Sequence, residues 1–487
     1  MSDPAEAERL LGDGQERRKV KRDICAICFM AALIVGAVIG LAAVWASLEN
    51  VETPKRSVIL MISDGFGPTS ETFARTYNQH VNKLKYNYVS PLDEILVGSS
   101  RTRSSSSLVT DSAAGATAFA CAVKSYNAAI GVTSKKIPCG TVLESAKYLG
   151  LATGLVVTSR ITHATPASFS AHVIHRDMEA DIATQQIGDN PLGNQVDLMF
   201  GGGRCYFLPN RTEGSCRIDQ RDLHMSYEID RDPTQEPSLK EMSEKALKFL
   251  DSATAKNDKG FFLMIEGSRI DMAAHSNDPA THVHDILAYH ETVELIKNYV
   301  DEHPDTVMIS VSDHETGGLS LARQVSLEYP EYLWFPEMLT RVKNSSFILS
   351  QELVQYWNED REEFIKNSII NYGLGIDDVL DYEINYLQKN HSQVEYEFYL
   401  ANMTSIRAQL GWTTHGHTAV DVNLYAYGKD IEFLRGNHEN IEIGDFIVEY
   451  LNLDLDTISS KLKNSTFHQP TDSTHYHADK HHPHTHV

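Results

Sequence analysis

Residues 57–65 read SVILMISDG. The apolar run is short and is closed by Asp64-Gly65, which fits a strand buried on both faces. Three further stretches share the pattern. FFLMIEG ends at Glu266, with Asp271 and His275 just beyond; VMISVSDHETGG carries Asp313-His314; GWTTHGHTAVDVNLYAYG carries His415 and His417. Each is expected to present its acid or imidazole at the carboxyl end of a strand. In open parallel sheets ligands bind beside that edge. A single Asp-Gly after a strand is only a turn. Several strands delivering carboxylate and imidazole to one edge are not explained as turns, and the donor set points to metal.

Residues 109–131, VTDSAAGATAFACAVKSYNAAIG, place Asp111-Ser112 directly before a run of small helix formers. A serine there sits in the first turn of a helix, where backbone N–H groups and the positive dipole end converge. Such a terminus holds phosphate and favours an alkoxide. An ordinary Asp or Ser N-cap is the simpler reading of the same pair. Asp271 and His275 are spaced i, i+4, so on a helix they share a face and can chelate one ion. Asp313 and His314 are adjacent, which on a helix points them apart but lets them converge in a strand-end loop.

DSAAGATA at 111–118, RITHATPASFSAHVIHR at 160–176, IEGSRIDMAAH at 265–275 and SDHETGG at 312–318 together resemble the alkaline phosphatase family, above all its fungal, membrane-anchored vacuolar members. The resemblance covers residues 54–453 and is weaker over 321–409. It implies an α/β fold with a large, mostly parallel central sheet and helices on both faces. It implies phosphate monoester hydrolysis through a phosphoserine at Ser112, with two zinc ions and one magnesium ion. Asp271, His275 and His417 would hold the first zinc. Asp64, Asp313 and His314 would hold the second, beside the Ser112 oxygen. Asp64, Thr165 and Glu266 would hold magnesium. Arg176, thirteen residues after His163, matches the phosphate-binding arginine, with Arg160 and Arg269 as competing readings. His417 is preferred to His415 because it lies eleven residues before Gly428, as the family pattern requires, which leaves His415 a residue of the mouth or of the ligands' surroundings. Asp111 is expected to cap the helix or position Arg176. His163 stands where some relatives carry Asp, and Met272 where others carry Lys or His; both departures weaken the expected magnesium site. Phosphorylated small molecules and phosphopeptides are the implied substrates, and a homodimer the implied assembly. Diesterase relatives generally lack the third metal and the clamping arginine, and sulfatases have a differently patterned nucleophile region. Thr165, Glu266 and Arg176 therefore favour a monoesterase.

The chain has 487 residues, 42% of them hydrophobic and 22% charged, which are globular values. A net charge of −23 argues against nucleic-acid binding and requires that any phosphate site be made locally positive, as metal ions would do. Residues 24–48 are uncharged and mostly apolar, long enough to span a bilayer. Arg17, Arg18, Lys19, Lys21 and Arg22 precede them, so residues 1–23 are expected in the cytosol behind an uncleaved anchor. A cleaved signal peptide, with Val44 and Ala46 at its site, is the other reading. Glu6, Leu10 and Leu11 resemble an acidic dileucine signal read by sorting adaptors. The expected location is thus a vacuolar, lysosome-like membrane, single-pass type II, with the catalytic domain lumenal. Sequons begin at Asn210, Asn344, Asn390, Asn402 and Asn464, all on that side. Cys205 and Cys216 are the expected disulfide, while spacing leaves a Cys121–Cys139 pair open. Cys25 and Cys28 fall in or beside the span. Residues 321–409 read as an inserted helical cap near the site mouth. Residues 457–487, rich in histidine at the end, read as a disordered tail.

Overall fold

In the computed structural model, residues 57–62 form strand β1 (Ser57–Ile62), and all six are buried. The structure describes residues 19–25, 28–40, 55–208, 225–255 and 259–463. Alternate side chains of β1 enter opposite layers. Val58, Leu60 and Ile62 join one apolar cluster, Ile59 and Met61 the other. That two-sided burial is why the run shows no polar alternation.

The remaining strands are β2 (Leu96–Arg101), β3 (Ala152–Arg160), β4 (Leu198–Gly202), β5 (Phe261–Glu266), β6 (Thr306–Val311), β7 (Glu315–Thr316), β8 (His417–Thr418), β9 (Val422–Tyr427) and β10 (Gly436–Glu439). Eight of them form one sheet in the order β10-β2-β9-β6-β1-β5-β3-β4, and β7 pairs with β8 separately. β1 lies parallel between β5 and β6, with β3 parallel to β5 and β4 to β3. β9 runs antiparallel to both β6 and β2. The expectation that every ligand-bearing residue ends its strand therefore fails at His417, which precedes β9. Because β9 is reversed, its start lies beside the end of β6, with Leu424 opposite Val311. His417 reaches the same edge from the other direction.

The N-terminal unit, Met1–Pro54, contains α1 (Lys19–Gly40), long and apolar enough to cross a membrane. It starts inside the basic run, five residues before the expected span; residues 41–48 of that span, and Glu6, Leu10 and Leu11, lie outside the described residues. In the second unit, α2 (Pro68–Val81), α3 (Ser112–Cys121), α4 (Val142–Tyr148), α5 (Ala164–Ser170), α6 (Glu179–Gln186), α7 (Leu239–Thr254), α8 (Arg269–His275) and α9 (Pro279–Glu302) alternate with the strands. After β7 come α10 (Ser346–Gln355), α11 (Arg361–Phe364), α12 (Asp381–Leu387) and α13 (Gln393–Ala408), and after β10 come α14 (Asn440–Leu451) and α15 (Leu455–Lys463). Phe73 of α2, Leu250 of α7 and Ile286 of α9 pack with Ile59 and Met61. Phe119 of α3, Leu143 of α4 and Ile447 of α14 pack with Val58, Leu60 and Ile62. Helices therefore cover both faces, each fully buried Leu or Ile contributing about 1.5–3 kcal/mol.

Between β7 and β8 the chain adds no strand to the sheet. Leu349, Leu353, Ile369, Tyr396 and Leu400 give this helical stretch its own core. The C-terminal tail begins later than Thr457. Leu455–Lys463 is a helix that buries Ile458 and Leu462, and Gly140 N donates to Ser459 Oγ at 2.8 Å. Residues 464–487 lie outside the described residues. Cys121 and Cys139 form the disulfide that spacing left open. Cys205 is also disulfide-bonded, while Cys216 lies outside the described residues. Asn390 and Asn402 are exposed, Asn344 is half-buried, and Asn210 and Asn464 lie outside the described residues.

One buried ion pair ties the loop after α3 to the sheet's helical layer. His172 Nδ1 donates to Gly131 O at 2.6 Å and Nε2 to Glu144 Oε1 at 2.8 Å, so two acceptors demand the imidazolium. Burial alone would lower its pKa; Glu144 and Gly131 O outweigh burial and raise it above the ordinary histidine value. A raised folded pKa gives stability present below about pH 6.5 and lost as pH rises through the folded value. His172→Gln should therefore cost several kcal/mol at mildly acidic pH and progressively less at alkaline pH. Denaturant unfolding of both proteins across that range checks this, and a pH-independent difference would contradict it.

Candidate active site

Asp64 lies two residues beyond β1, Glu266 is the last residue of β5, and Asp313-His314 follow β6 at its second and third positions. Since β1 sits between β5 and β6, three neighbouring strands bring these groups to one edge. Gly65 has φ +72°, and a Cβ there would lie 2.7 Å from Asp271 Cα, so only glycine lets the turn after Asp64 close on α8. α8 presents Asp271 and His275 one turn apart. Gly115 allows the matching approach of α3: a Cβ would lie 2.9 Å from Asp313 Cβ.

The N-cap reading of Asp111 holds, and Ser112 stands in the first turn of the helix as expected. Asp111 is the N-cap, its Oδ1 accepting from Ala114 N at 3.0 Å, and Ser112 is the first helical residue. Ser112 Oγ then stands 3.2 Å from His314 Nε2.

Asp271, His275 and His417 form one group. Asp271 Oδ2 is 3.3 Å from His275 Nε2, His275 Nε2 is 3.2 Å from His417 Nε2, and His417 Nε2 is 3.8 Å from Asp271 Oδ1. Tetrahedral ligands about 2.0–2.1 Å from zinc lie about 3.3 Å from one another. His275 Nδ1 donates to His415 O at 2.5 Å and His417 Nδ1 to Thr110 O at 2.8 Å. Carbonyl oxygens only accept, so each Nδ1 carries a proton. Burial lowers the His275 pKa, but Asp271 and His415 O raise it above the ordinary histidine value, so without a metal a proton on His275 Nε2 can bridge the two rings. A cation between them resolves that contact.

Asp64, Asp313 and His314 form the second group, with His314 Nε2 3.3 Å from Asp313 Oδ2 and 3.6 Å from Asp64 Oδ1. Asp64 with His163 and Glu266 forms a third, their donor atoms within 4.8 Å of one another. Thr165 Oγ1, both Asp64 oxygens, Asp313 Oδ2 and Glu266 Oε1 are buried without a hydrogen-bond partner. Burial, then the Asp313, Asp271 and Glu266 charges, push Asp64 well above the carboxylate range. Asp313 is pushed up to about 8 by burial and by Asp271 and Glu266, and Glu266 to about 7, chiefly by burial. Burial also opposes the Asp271 charge, but His275, His417 and His314 hold that carboxyl well below its usual range. His314 is driven well down by burial and by His417, whose ring stacks on it at 3.5 Å. Crowded buried carboxylates beside imidazoles whose Nε2 atoms converge are a donor set that divalent cations fit.

Arg176 is buried beside Ser112. Its Nη1 donates to Asp111 Oδ2 at 3.2 Å and its Nη2 to His163 Nε2 at 3.0 Å; Asp111 Oδ2 also accepts from Ala128 N at 2.9 Å. Asp111 is thus both cap and positioner of Arg176. Arg160 instead makes a bidentate pair with Glu179, at 3.0 and 2.9 Å. Arg269 lies 3.6 Å over the Tyr227 ring and donates to Met272 Sδ at 3.0 Å, which takes Arg269 out of the competition.

Sequence reasoning missed Thr316. Its Oγ1 donates to Asp271 Oδ1 at 2.5 Å and lies 3.2 Å from His314 Nδ1, joining the first two groups. The signal was present: positions 314 and 316 share a side wherever the chain is extended, and β7 pairs Thr316 with His417.

A family model described as alkaline phosphatase matches residues 55–220 and 220–453. The chain belongs to the alkaline phosphatase family. It is 46% identical over 459 residues to the alkaline phosphatase of Schizosaccharomyces pombe, covering 86% of each chain. To the repressible alkaline phosphatase of Saccharomyces cerevisiae it is 43% identical, over 88% of this chain and 87% of that one. Among solved structures, the cold-active alkaline phosphatase of a psychrophilic Shewanella matches with TM-score 0.70 and 30% identity, over 81% of this chain and 99% of that one. A His-to-Asp mutant of the alkaline phosphatase of the Antarctic bacterium TAB5, with Mg bound in its M3 site, matches with TM-score 0.57 and 25% identity, over 82% and 99%. Family and fold support phosphate monoester hydrolysis, and the family depends on metal.

Thr316→Val should lower metal affinity about 10–100-fold, while Thr316→Ser retains it, because the hydroxyl and not the volume orients the two groups. Metal analysis after graded chelator exposure measures this; equal retention by the Val variant would remove Thr316 from the site.

Proposed function

We propose that Ser112 is the nucleophile of a membrane-anchored phosphomonoesterase whose three acidic groups hold two zinc ions and one magnesium ion. The reading rests on one observation: Ser112 Oγ, at the start of α3, lies 3.2 Å from His314 Nε2. Asp271, His275 and His417 are the ligands assigned to one zinc, Asp64, Asp313 and His314 to the other, and Asp64, Thr165 and Glu266 to magnesium. These cations supply the charge that offsets phosphoryl oxygens and lowers the pKa of a hydroxyl. Ser112 gives up its hydroxyl proton to water, its Oγ attacks phosphorus in line, the ester P–O bond breaks, a phosphoserine forms, and the leaving oxygen takes a proton from water. The leaving oxygen departs on the side of Asp271, His275 and His417. Water then attacks phosphorus, releasing phosphate and restoring Ser112. Arg176, held by Asp111 and His163, donates two bonds to phosphoryl oxygens, and the N–H groups of α3 add to that charge.

The lumenal, vacuolar type II topology is part of this proposal. The basic run in which α1 begins and the Cys121–Cys139 disulfide, which suits an oxidising compartment, support it.

Ser112→Ala should bind its metals and lose nearly all turnover through phosphoserine, with residual attack by water remaining. Near-normal turnover with no labelled serine in the parent protein would sink the assignment.

The third group is the point of departure from relatives with an Asp at position 163. His163 Nε2 accepts from Arg176, so the neutral ring brings no negative charge to magnesium. An Asp there would add that charge and still accept from Arg176; the TAB5 His-to-Asp mutant with Mg bound is consistent with this. Magnesium should therefore activate the enzyme, Glu266→Ala should abolish the activation, and His163→Asp should shift it to lower concentration. Full activity with two tightly bound zinc ions and no magnesium response would overturn the magnesium assignment.

A further inference from the structure

Three cations, Arg101, Arg103 and Lys124, gather where β2 ends. Two reversals, β6 to β9 and β9 to β2, make β2 run with β6, so its end meets the edge that carries the ligands. Glu439 of β10 pairs opposite Arg101. Its Oε1 lies 2.9 Å from Arg101 Nε and its Oε2 2.8 Å from Lys124 Nζ, so two cations share one carboxylate. Lys124 Nζ also donates to Arg103 O at 2.7 Å. Burial lowers the Lys124 pKa, Glu439 opposes that, and the Arg103 and Arg101 charges add to the lowering. The neighbouring acids are engaged elsewhere: Asp421 accepts from Asn437 Nδ2 at 2.9 Å and Glu442 from Glu439 N at 2.8 Å. The guanidinium of Arg103 is exposed and makes no hydrogen bond or ion pair among the described residues.

Two observations set its distance from the site. Thr102 Oγ1 donates to Val420 O at 3.4 Å, and Val420 lies three positions after His417, a span of at most about 10 Å. Along the edge, β2 is two places from β6, again about 10 Å. An exposed cation acts at that range through its field, over a Debye length of about 8 Å, and needs no pocket. We propose that Arg103 is a specificity-determining contact for phosphopeptides that carry an acidic side chain about three residues from the phosphoserine. The inference rests on the proposed role of Ser112. An extended peptide rises about 3.3 Å per residue, so three residues cover the separation. Ser105, Ser106 and Leu108, between Arg103 and Ser112, are exposed and leave the loop open to such a chain. A guanidinium takes a carboxylate through two parallel N–H bonds. In a chain of net charge −23, one unpaired cation near the site distinguishes among anions that the surface as a whole repels.

The test measures kcat/KM of the full-length enzyme on two phosphoserine peptides, with inorganic tripolyphosphate as a polyanion that is not a peptide. One peptide has Glu three residues to either side of the phosphoserine; the other has Gln at both places. Arg103→Gln should lower the acidic-to-neutral ratio about two- to fivefold, through KM, and Arg103→Lys should keep most of it because the charge remains. High salt should erase the parent's preference. An unchanged ratio, or equal losses for both peptides, overturns the contact. A loss with tripolyphosphate and none with the acidic peptide overturns the peptide as its ligand. Labelling of Ser112 is a separate readout: an unlabelled serine in the active parent sinks the nucleophile, while a labelled Ser112 with an unchanged ratio sinks only the role of Arg103.

Discussion

The parallel register of three strands forces like charges together. Ile62 of β1 pairs with Glu266 on one side and Val311 on the other, so the residues that follow, Asp64 and Asp313, converge with Glu266 at one buried edge. Hydrogen bonds offset that charge only in part: Asp313 Oδ1 accepts from Gly65 N and His314 N, but Asp64 Oδ1 and Oδ2, Asp313 Oδ2 and Glu266 Oε1 have no partner. Burial and mutual repulsion drive all three toward protonation at neutral pH unless cations are present. Metal binding and the stability of this sheet edge are thereby linked: whatever binds the folded edge and not the unfolded chain stabilises the fold.

The imidazoles are oriented by backbone from distant parts of the chain. His417 Nδ1 is held by Thr110 O, two residues before Ser112 and 307 positions away. His275 is held by His415 O, 140 positions away. The helix that carries Ser112 and the Asp271–His275–His417 group therefore share one scaffold, and Asp111 extends it to Arg176 and Ala128. A shift of the loop before α3 would disturb Ser112, His417 and Arg176 together, at an edge closed tightly around Gly65 and Gly115.

The ligand-bearing strands were legible because burial on both faces leaves an unbroken apolar run, and Asp271 and His275 because one helical turn separates them. The direction of β9 was not legible: VNLYAY reads the same whichever way the strand runs, and its reversal is decided by pairing with β6 and β2. The bond from Arg176 to His163 was equally hidden, since it depends on where the chain returns after α5. The start of the tail was misplaced because Ile458 and Leu462, one turn apart, are the only apolar pair in a polar stretch. They become a helix face through burial against the rest of the domain. Pairing of Cys121 with Cys139 depends on the same long-range placement.

The helical insert is attached immediately after α8, beside His275. Its α13 accepts at Glu397 from Ser276 Oγ and donates from Ser405 Oγ to Asn277 O at 3.2 Å. Ser346 N, at the start of α10, donates to Asp278 Oδ2 at 2.8 Å, while Asp278 Oδ1 caps α9. These contacts fall on the three residues immediately after His275. Burial pushes the Glu397 carboxyl up to about 7, and the bond from Ser276 offsets part of that cost. The insert is thus clamped to the hinge between α8 and α9, with a core of its own behind it. A segment built this way can change its exposed side chains freely, because its fold depends on Leu349, Tyr396 and Leu400, and the ligand geometry on α8 and the strand ends. The weakest stretch of family resemblance, 321–409, is therefore where the fold tolerates variation.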